Sequence, residues 1–191
     1  MARVATRSKP TPEEYLAWER LQTEKHEYHA GDALAPTIGS PRHNWIGGNV
    51  QAVLKRELDD RCFTFTSAQR IVLDGGKRYV YPDASVVCGP VPLVDGATDV
   101  VANPSILVEI LSSTTETYDR GLKWEGYQRL PSLTDYLLVS QQEVRIEHYR
   151  RAPDRGWFYR SYGAGECIVL ANGTRLDVDA IYAHAFELPG D

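Results

Sequence analysis

The strongest constraint on the fold is one acidic residue inside an apolar, strand-like run. Residues 106–111 are Ile-Leu-Val-Glu-Ile-Leu, and Glu109 is the polar member of the run. This composition predicts a strand that is buried on both faces. A buried carboxylate loses its hydration and is stable only with a compensating partner. We therefore expect a cation beside Glu109.

A second acid stands at the edge of another apolar segment. Asp83 follows Pro82 directly and precedes the strand-like residues 84–88. Two carboxylates presented by neighbouring strands provide the hard oxygen ligands that Mg²⁺ prefers. Asp83 and Glu109 are therefore the primary candidate site. The alternative is a structural pair that is capped by a lysine or by backbone amides.

Composition favours one globular domain. The 191 residues, 42% of them hydrophobic, suffice for one domain spanning 1–191, and we expect residues 1–10 to be flexible. The net charge of −5 counts against avid non-specific binding to nucleic acid. No apolar stretch is long enough to span a membrane, and the basic N-terminus lacks the apolar core of a secretory signal. The three cysteines lie far apart in sequence, so we predict no disulfide framework and a reducing cytoplasm.

Capping signals and periodicity predict a mixed α/β fold. Thr11 and Glu14 form a capping box around Pro12, and Ser40-Pro41 opens a second helix. We predict helices over residues 11–24, 40–58, 118–129 and 178–184. We predict strands over residues 26–36, 62–67, 69–73, 79–81, 84–88, 106–111, 135–140, 144–150 and 157–162. This order favours a mixed α/β (α+β) sandwich with a central sheet, and the absence of a Gly-rich phosphate loop argues against a doubly wound nucleotide fold.

Beyond these patterns, the chain resembles a known family along nearly its whole length. Pro82-Asp83 followed by Glu109 within a strand is similar to the PD-(D/E)XK nuclease superfamily. The closer resemblance is to the Uma family, a group of bacterial proteins described as restriction endonucleases. The segments that carry it are TPEEYLAWE, KHEYHAGDAL, SPRHNWIGGNV, YVYPDASVVCG and NPSILVEILSSTTETYDRGLKWEGYQRLPSLTDYLLV. The resemblance implies a restriction-endonuclease-like core with N-terminal helices and additional C-terminal β-strands.

The resemblance also implies roles for individual residues. Asp83, Glu109 and the carbonyl of Ile110 would bind Mg²⁺, for which Mn²⁺ can substitute, beside the scissile phosphate. The superfamily lysine normally stands two residues after the glutamate, but that position is Leu111 here. Lys123, four residues after Asp119, would replace it by reaching the site from a helix, orienting the attacking water and stabilising negative charge. The alternative for Lys123 is an ordinary surface salt bridge.

Glu27 is a secondary candidate for the same site. The superfamily often contributes an acid from the first helix or the turn after it, and KHEYHAGDAL matches that region. The alternative is an exposed strand acid. His43 also matches the family pattern, although packing in the first helical turn is the simpler interpretation.

Two functional hypotheses from different classes follow. The first is a Mg²⁺-dependent nuclease that hydrolyses phosphodiester bonds in DNA, acts as a homodimer and has Glu27, Asp83, Glu109 and Lys123 in its catalytic site. The second is a catalytically inactive binding or regulatory module on the same fold, favoured by Leu111 and by the acidic net charge. A serine hydrolase is disfavoured because no G-x-S-x-G motif is present.

Overall fold

The computed structural model describes residues 2–3, 9–35, 39–94, 97–154 and 156–191. The helices in these ranges are α1 (Pro12–Glu19), α2 (Pro41–Glu57), α3 (Glu116–Tyr118), α4 (Trp124–Tyr127) and α5 (Val178–Tyr182). The strands are β1 (Ala2–Arg3), β2 (Glu27–His29), β3 (Asp32–Ala35), β4 (Cys62–Thr66), β5 (Arg70–Leu73), β6 (Arg78–Val80), β7 (Ala84–Cys88), β8 (Val100–Val101), β9 (Ile106–Leu111), β10 (Asp135–Ser140), β11 (Ile146–Arg151), β12 (Trp157–Tyr162), β13 (Cys167–Val169) and β14 (Arg175–Asp177). None of the helices in these ranges is long and apolar enough to cross a membrane.

The strands form two six-stranded sheets and a hairpin. The first sheet has the order β1-β3-β2-β6-β5-β8, and the second has the order β12-β11-β10-β9-β7-β4. Only β5–β8 and β9–β10 are parallel among the paired strands that the structure describes. The mixed α/β class and the additional C-terminal strands agree with the prediction, but the strands divide between two sheets instead of forming one central sheet. Of the segment predicted to be flexible, residues 1 and 4–8 lie outside the described part, and β1 pairs with β3.

Helix α1 begins where the sequence predicts but ends earlier. The Thr11 hydroxyl accepts the Glu14 amide, and the Glu14 carboxylate accepts the Thr11 amide, which confirms the capping box. The helix ends at Glu19, short of the predicted residue 24, because the buried Glu19 carboxylate binds the backbone amide of His26 at 2.7 Å. That contact turns the chain back toward β2.

The predicted helix over residues 118–129 is present but irregular. It begins at α3, passes through a π-helical turn over Asp119–Lys123 and ends with α4 at Tyr127. Within the turn, the Trp124 amide donates to the Asp119 carbonyl, which widens the helix locally. Such π turns recur at functional sites in other proteins. Here the turn presents both Asp119 and Lys123 to the interior.

The prediction that the cysteines stay unpaired was wrong for two of them. Cys62 on β4 and Cys88 on β7 stand directly opposite each other in the antiparallel register and form a disulfide. Cys167 remains free. This pair could not be predicted from the sequence, because the two cysteines are 26 residues apart and only the register of β4 against β7 brings their side chains together.

The two faces of the second sheet are covered differently, and this places the candidate site. Helices α2 and α5 and the β13–β14 hairpin pack on one face. Helix α4 and residues of the first sheet pack on the opposite face, around Tyr127 and Tyr136. The chain crosses from the first sheet to the second between β6 and β7, and Asp83 lies at this crossing.

Candidate functional site

Strand register places the two acids of the primary site side by side. In the antiparallel pairing of β7 with β9, Ala84 stands opposite Val108. Asp83 directly precedes Ala84, Glu109 directly follows Val108, and the Asp83 Oδ2 atom accepts the amide of Ile110 at 2.7 Å. Both carboxylates line a cavity of about 750 Å³ that is open to solvent.

Glu109 is the buried end of this site. The residue is 2% exposed, and its Oε1 atom accepts the Tyr127 hydroxyl at 2.7 Å and lies 2.9 Å from Lys123 Nζ. Burial raises the pKa of the Glu109 carboxyl well above its ordinary value, and the negative charges of Asp119 and Asp83 add to the effect. The lysine ammonium opposes this shift. The cation expected beside Glu109 is therefore Lys123.

Lys123 is held by three carboxylates in the interior. Its Nζ atom lies 2.9 Å from Glu109 Oε1, 3.2 Å from Asp119 Oδ1 and 3.4 Å from Glu27 Oε1, and the side chain is 4% exposed. The interpretation as a surface salt bridge is therefore wrong. Burial alone would lower the pKa of Lys123, but the three carboxylates outweigh it and raise that pKa well above its ordinary value. Lys123 is thus an ammonium ion throughout the neutral range.

Asp83 forms the more open part of the site. Its side chain is 22% exposed, and its Oδ1 atom lies 3.2 Å from the Nε2 atom of His43 on α2. Burial would raise the pKa of Asp83, but the hydrogen bonds from His43 and the Ile110 amide lower it below its ordinary value. Asp83 thus has a backbone amide as its partner, and Glu109 has a lysine. These are also the partners expected if the two acids form a purely structural pair. Metal binding is the measurement that separates a metal site from a structural pair.

Glu27 belongs to the same cluster. It is 1% exposed, so the alternative of an exposed strand acid is wrong. Its Oε1 atom accepts the backbone amide of Tyr81 at 2.9 Å and contacts Lys123. The amide of Tyr81 lies two residues before Asp83, so this hydrogen bond ties β2 to the crossing between the sheets.

Three residues of the cluster were not predicted as site members. Asp119 was considered only as a partner of Lys123, Tyr127 was not a candidate, and His43 was assigned to packing. The spacing 119, 123 and 127 is a signal that could have identified Tyr127, because residues four apart share one helix face. The contact between His43 and Asp83 joins residues 40 apart and has no local signal.

The donor set suits a hard divalent cation by its chemistry. Among the described residues, four carboxylates contact the basic side chains Lys123 and His43, and a third basic residue, Lys25, also lines the cavity. The Oε2 atom of Glu27 is buried and accepts no hydrogen bond of normal geometry from the described residues, although the Tyr118 hydroxyl interacts with this carboxylate. Within the described ranges, no three His, Cys, Asp or Glu side chains are arranged to hold a metal ion by themselves. A metal here would therefore also need ligands such as the Ile110 carbonyl or water.

Comparison with known proteins identifies relatives along most of the chain. The family model Uma2, described as "Putative restriction endonuclease", matches residues 12–186. Two proteins of Synechocystis sp. (strain ATCC 27184 / PCC 6803 / Kazusa), both described as uncharacterized, are similar: one is 38% identical over 91% of this chain and 92% of its own length, and another is 34% identical over 81% and 88%. The crystal structure of a "putative nuclease" from Anabaena variabilis ATCC 29413 has a TM-score of 0.69, covers 92% of this chain and 99% of its own, and is 16% identical. This similarity confirms the predicted restriction-endonuclease-like fold.

Proposed function

Because the chain belongs to the Uma2 family, described as "Putative restriction endonuclease", we propose that it is a Mg²⁺-dependent nuclease that hydrolyses phosphodiester bonds in DNA. DNA is the substrate of the enzyme class that the family description names. The observation that carries the proposal is the buried contact of 2.9 Å between Lys123 Nζ and Glu109 Oε1, beside Asp83 in one open cavity. This set contains the two acids and the lysine that the resemblance to the PD-(D/E)XK superfamily implies.

Asp83, Glu109 and the Ile110 carbonyl are the proposed metal ligands. Bound Mg²⁺ would polarise the phosphate and lower the pKa of an attacking water. Asp83 is suited to this role because its lowered pKa keeps it ionised at neutral pH. The hydrogen bond from the Ile110 amide fixes one Asp83 oxygen, and His43 orients the second.

Lys123 has the role of the lysine that the strand lacks. Its Nζ atom lies between the carboxylates of Glu27, Glu109 and Asp119 at the buried end of the cavity. A fixed positive charge at this position stabilises the negative charge that develops on the phosphate, and it needs no reorganisation during the reaction. Glu27 and Asp119 hold the ammonium in place and keep it protonated.

Two such sites on a dimer would let the protein cut both strands of a duplex. We propose a homodimer that presents one site to each strand. The dimer and the cytoplasmic location stay predictions. The Cys62–Cys88 disulfide bears on the location, because stable disulfides are more common in oxidising compartments.

Substitution of the proposed ligands tests the nuclease. Asp83→Asn and Glu109→Gln should each abolish Mg²⁺-dependent nicking and linearisation of a supercoiled plasmid while the circular dichroism spectrum is retained. Asp59→Asn, which neutralises an acid whose side chain is 52% exposed and is salt-bridged to Arg61, is the matched control and should cut like the unmodified protein. Undiminished cleavage by either ligand variant would overturn the assignment.

The inactive binding module remains the second candidate, and one observation favours it. Lys123 already neutralises part of the acidic cluster, so the fold can hold these acids without a metal. Calorimetric titration with Mn²⁺ separates the two functions. Micromolar binding that is lost in Asp83→Ala supports the nuclease, whereas the absence of binding heat supports the module.

A further inference from the structure

Residues 188–191 lie along the mouth of the cavity. Arg42, in the first turn of α2, holds this segment through its backbone: its amide donates to the Pro189 carbonyl at 3.1 Å, and its Nε atom donates to the Leu188 carbonyl at 3.0 Å. Gly190 and Asp191 then line the cavity together with His43. This segment lies beyond residues 12–186, the part that the family model matches.

The Asp191 carboxylate occupies a pair of donors beside the site. Its Oδ2 atom accepts the Ser113 amide at 3.0 Å and the Ser113 hydroxyl at 3.1 Å. Ser113 belongs to the turn that follows β9, four residues after Glu109. The Gln142 side chain donates to the Asp191 carbonyl at 2.8 Å and fixes the residue from the other side.

An amide and a hydroxyl that converge on one oxygen form a binding arrangement for an oxyanion. Both groups donate hydrogen bonds, and such bonds are strongest when the acceptor carries charge. Partial burial opposes ionisation of Asp191, but the Ser113 donors outweigh it and lower the pKa of its carboxyl. The donors therefore interact favourably with negative charge at this position.

We propose that the Ser113 amide and hydroxyl form a subsite for a backbone phosphate of the nucleic acid, and that the Asp191 carboxylate occupies this subsite as an internal competitor. The subsite deepens the proposed nuclease function and rests on it. Ser112 and Thr114, on either side of Ser113, line the same cavity as Asp83 and Glu109, so a phosphate on Ser113 would lie at the edge of that cavity. Nucleic acid must then displace residues 188–191 from the cavity mouth before it is cut.

The matched pair Asp191→Ala and Glu187→Ala tests the competition. Both variants remove one acid from the same end of the described chain, but Glu187 contacts His184 with a side chain that is 73% exposed and lies outside the cavity. Fluorescence anisotropy in EDTA measures binding of a labelled DNA duplex without cleavage. Asp191→Ala should lower the Kd about two- to fivefold, the range expected for loss of one exposed charged contact. Glu187→Ala should change the Kd less than twofold.

A second measurement does not depend on nuclease activity. In Asp191→Ala, inorganic phosphate should shift the NMR signal of the Ser113 amide, and the shift should be much smaller in Glu187→Ala, where the carboxylate still blocks the donors. Adding Ser113→Ala to Asp191→Ala removes the hydroxyl and should reverse most of the gain in duplex affinity.

The outcomes separate the subsite from the nuclease. Equal effects of Asp191→Ala and Glu187→Ala on the Kd, with no response of the Ser113 amide to phosphate, would overturn the subsite even in an active nuclease. A protein that neither cuts nor binds DNA would overturn the nuclease and the phosphate-backbone assignment together. A phosphate response confined to Asp191→Ala, combined with tighter duplex binding, supports the proposal.

Discussion

Lys123 Nζ lies 2.9 Å from Glu109 Oε1, although the lysine comes from a π-helical turn and the glutamate from strand β9. In the superfamily pattern both residues belong to one strand, two positions apart. Here the strand position is Leu111, which packs in the apolar cluster around Tyr127. The helix therefore supplies the charge that the strand does not, and the π turn directs that charge inward.

Replacing Lys123 should destabilise the protein as well as inactivate it. Lys123→Met leaves Glu27, Glu109 and Asp119 buried without their cation, which costs about 3–5 kcal/mol when a buried ion pair loses one partner. The loss should be smaller at pH 5 than at pH 8, because the raised pKa of Glu109 lets this carboxyl take up a proton, and a protonated carboxyl needs no cation. Urea denaturation at both pH values measures this loss of stability. The control is Lys55→Met, at an exposed position on α2. A variant as stable as the unmodified protein at pH 8 would contradict the buried cluster.

Neutralising Glu109 should have the opposite effect on stability. Its pKa in the folded protein is raised by burial above the ordinary value of 4.5, so the folded state retains a proton that the unfolded state releases. The unmodified protein then loses stability as the pH rises from about 4.5 through the raised folded-state pKa. Glu109→Gln does not titrate, so it should be the more stable protein at pH 8 by about 1 kcal/mol or more, and this difference should vanish near pH 4.

Glu147 provides the control of opposite sign. Its pKa is lowered by the paired hydrogen bonds from Arg120, at 2.7 Å each, so it contributes stability above its ordinary pKa of 4.5. Glu147→Gln should therefore destabilise the protein at pH 7, and the difference should shrink as the pH falls through the lowered pKa. Denaturant midpoints of both glutamine variants from about pH 3 to pH 8 test the pair of predictions. Parallel pH profiles for the two variants would refute the assigned shifts.

Local signals in the sequence predicted much of this fold and the centre of its site. Caps at Thr11 and Ser40 and the apolar run around Glu109 act over a few residues, so their physical effect is visible in the sequence. Lys123 was identified through the family resemblance, because the position of the superfamily lysine is Leu111 here and another residue has to take its role. Burial of Glu27 was not visible, because it depends on how β2 meets the crossing between the sheets.

Contacts between residues that are far apart in the chain could not be predicted from the sequence, for a physical reason. Asp191 meets Ser113 across 78 residues, and no periodic pattern records a contact of a turn with an extended segment. The disulfide and the contact of His43 with Asp83 likewise depend on strand register and helix placement, which are set only when the two sheets pack. Such contacts border the candidate site, so its edges were less predictable than its centre.

The imidazole of His43 should report directly on Asp83. Burial alone would lower the pKa of His43, but the hydrogen bond to Asp83 raises it above its ordinary value of 6.5. In Asp83→Asn the burial remains and only the weaker attractions of Asp191 and Asp119 oppose it, so the pKa of His43 should fall. NMR titration of the histidine ring protons in EDTA measures both values. His29, whose pKa is lowered mainly by burial, is the internal control and should be unchanged, and an unshifted His43 would show that the contact does not persist in solution.

The disulfide should protect two of the three cysteines from alkylation and should stabilise the second sheet. Cys62 and Cys88 close a loop of 26 residues, and a crosslink of this length typically contributes about 2–4 kcal/mol by restricting the unfolded chain. Alkylation of the denatured, unreduced protein should therefore label Cys167 alone, as read by peptide mass spectrometry. Dithiothreitol should lower the Tm of the unmodified protein but not that of the double variant Cys62→Ser/Cys88→Ser, and Cys167→Ser should keep the full response. Labelling of all three cysteines without reductant would show that β4 and β7 are held together by backbone hydrogen bonds and packing alone.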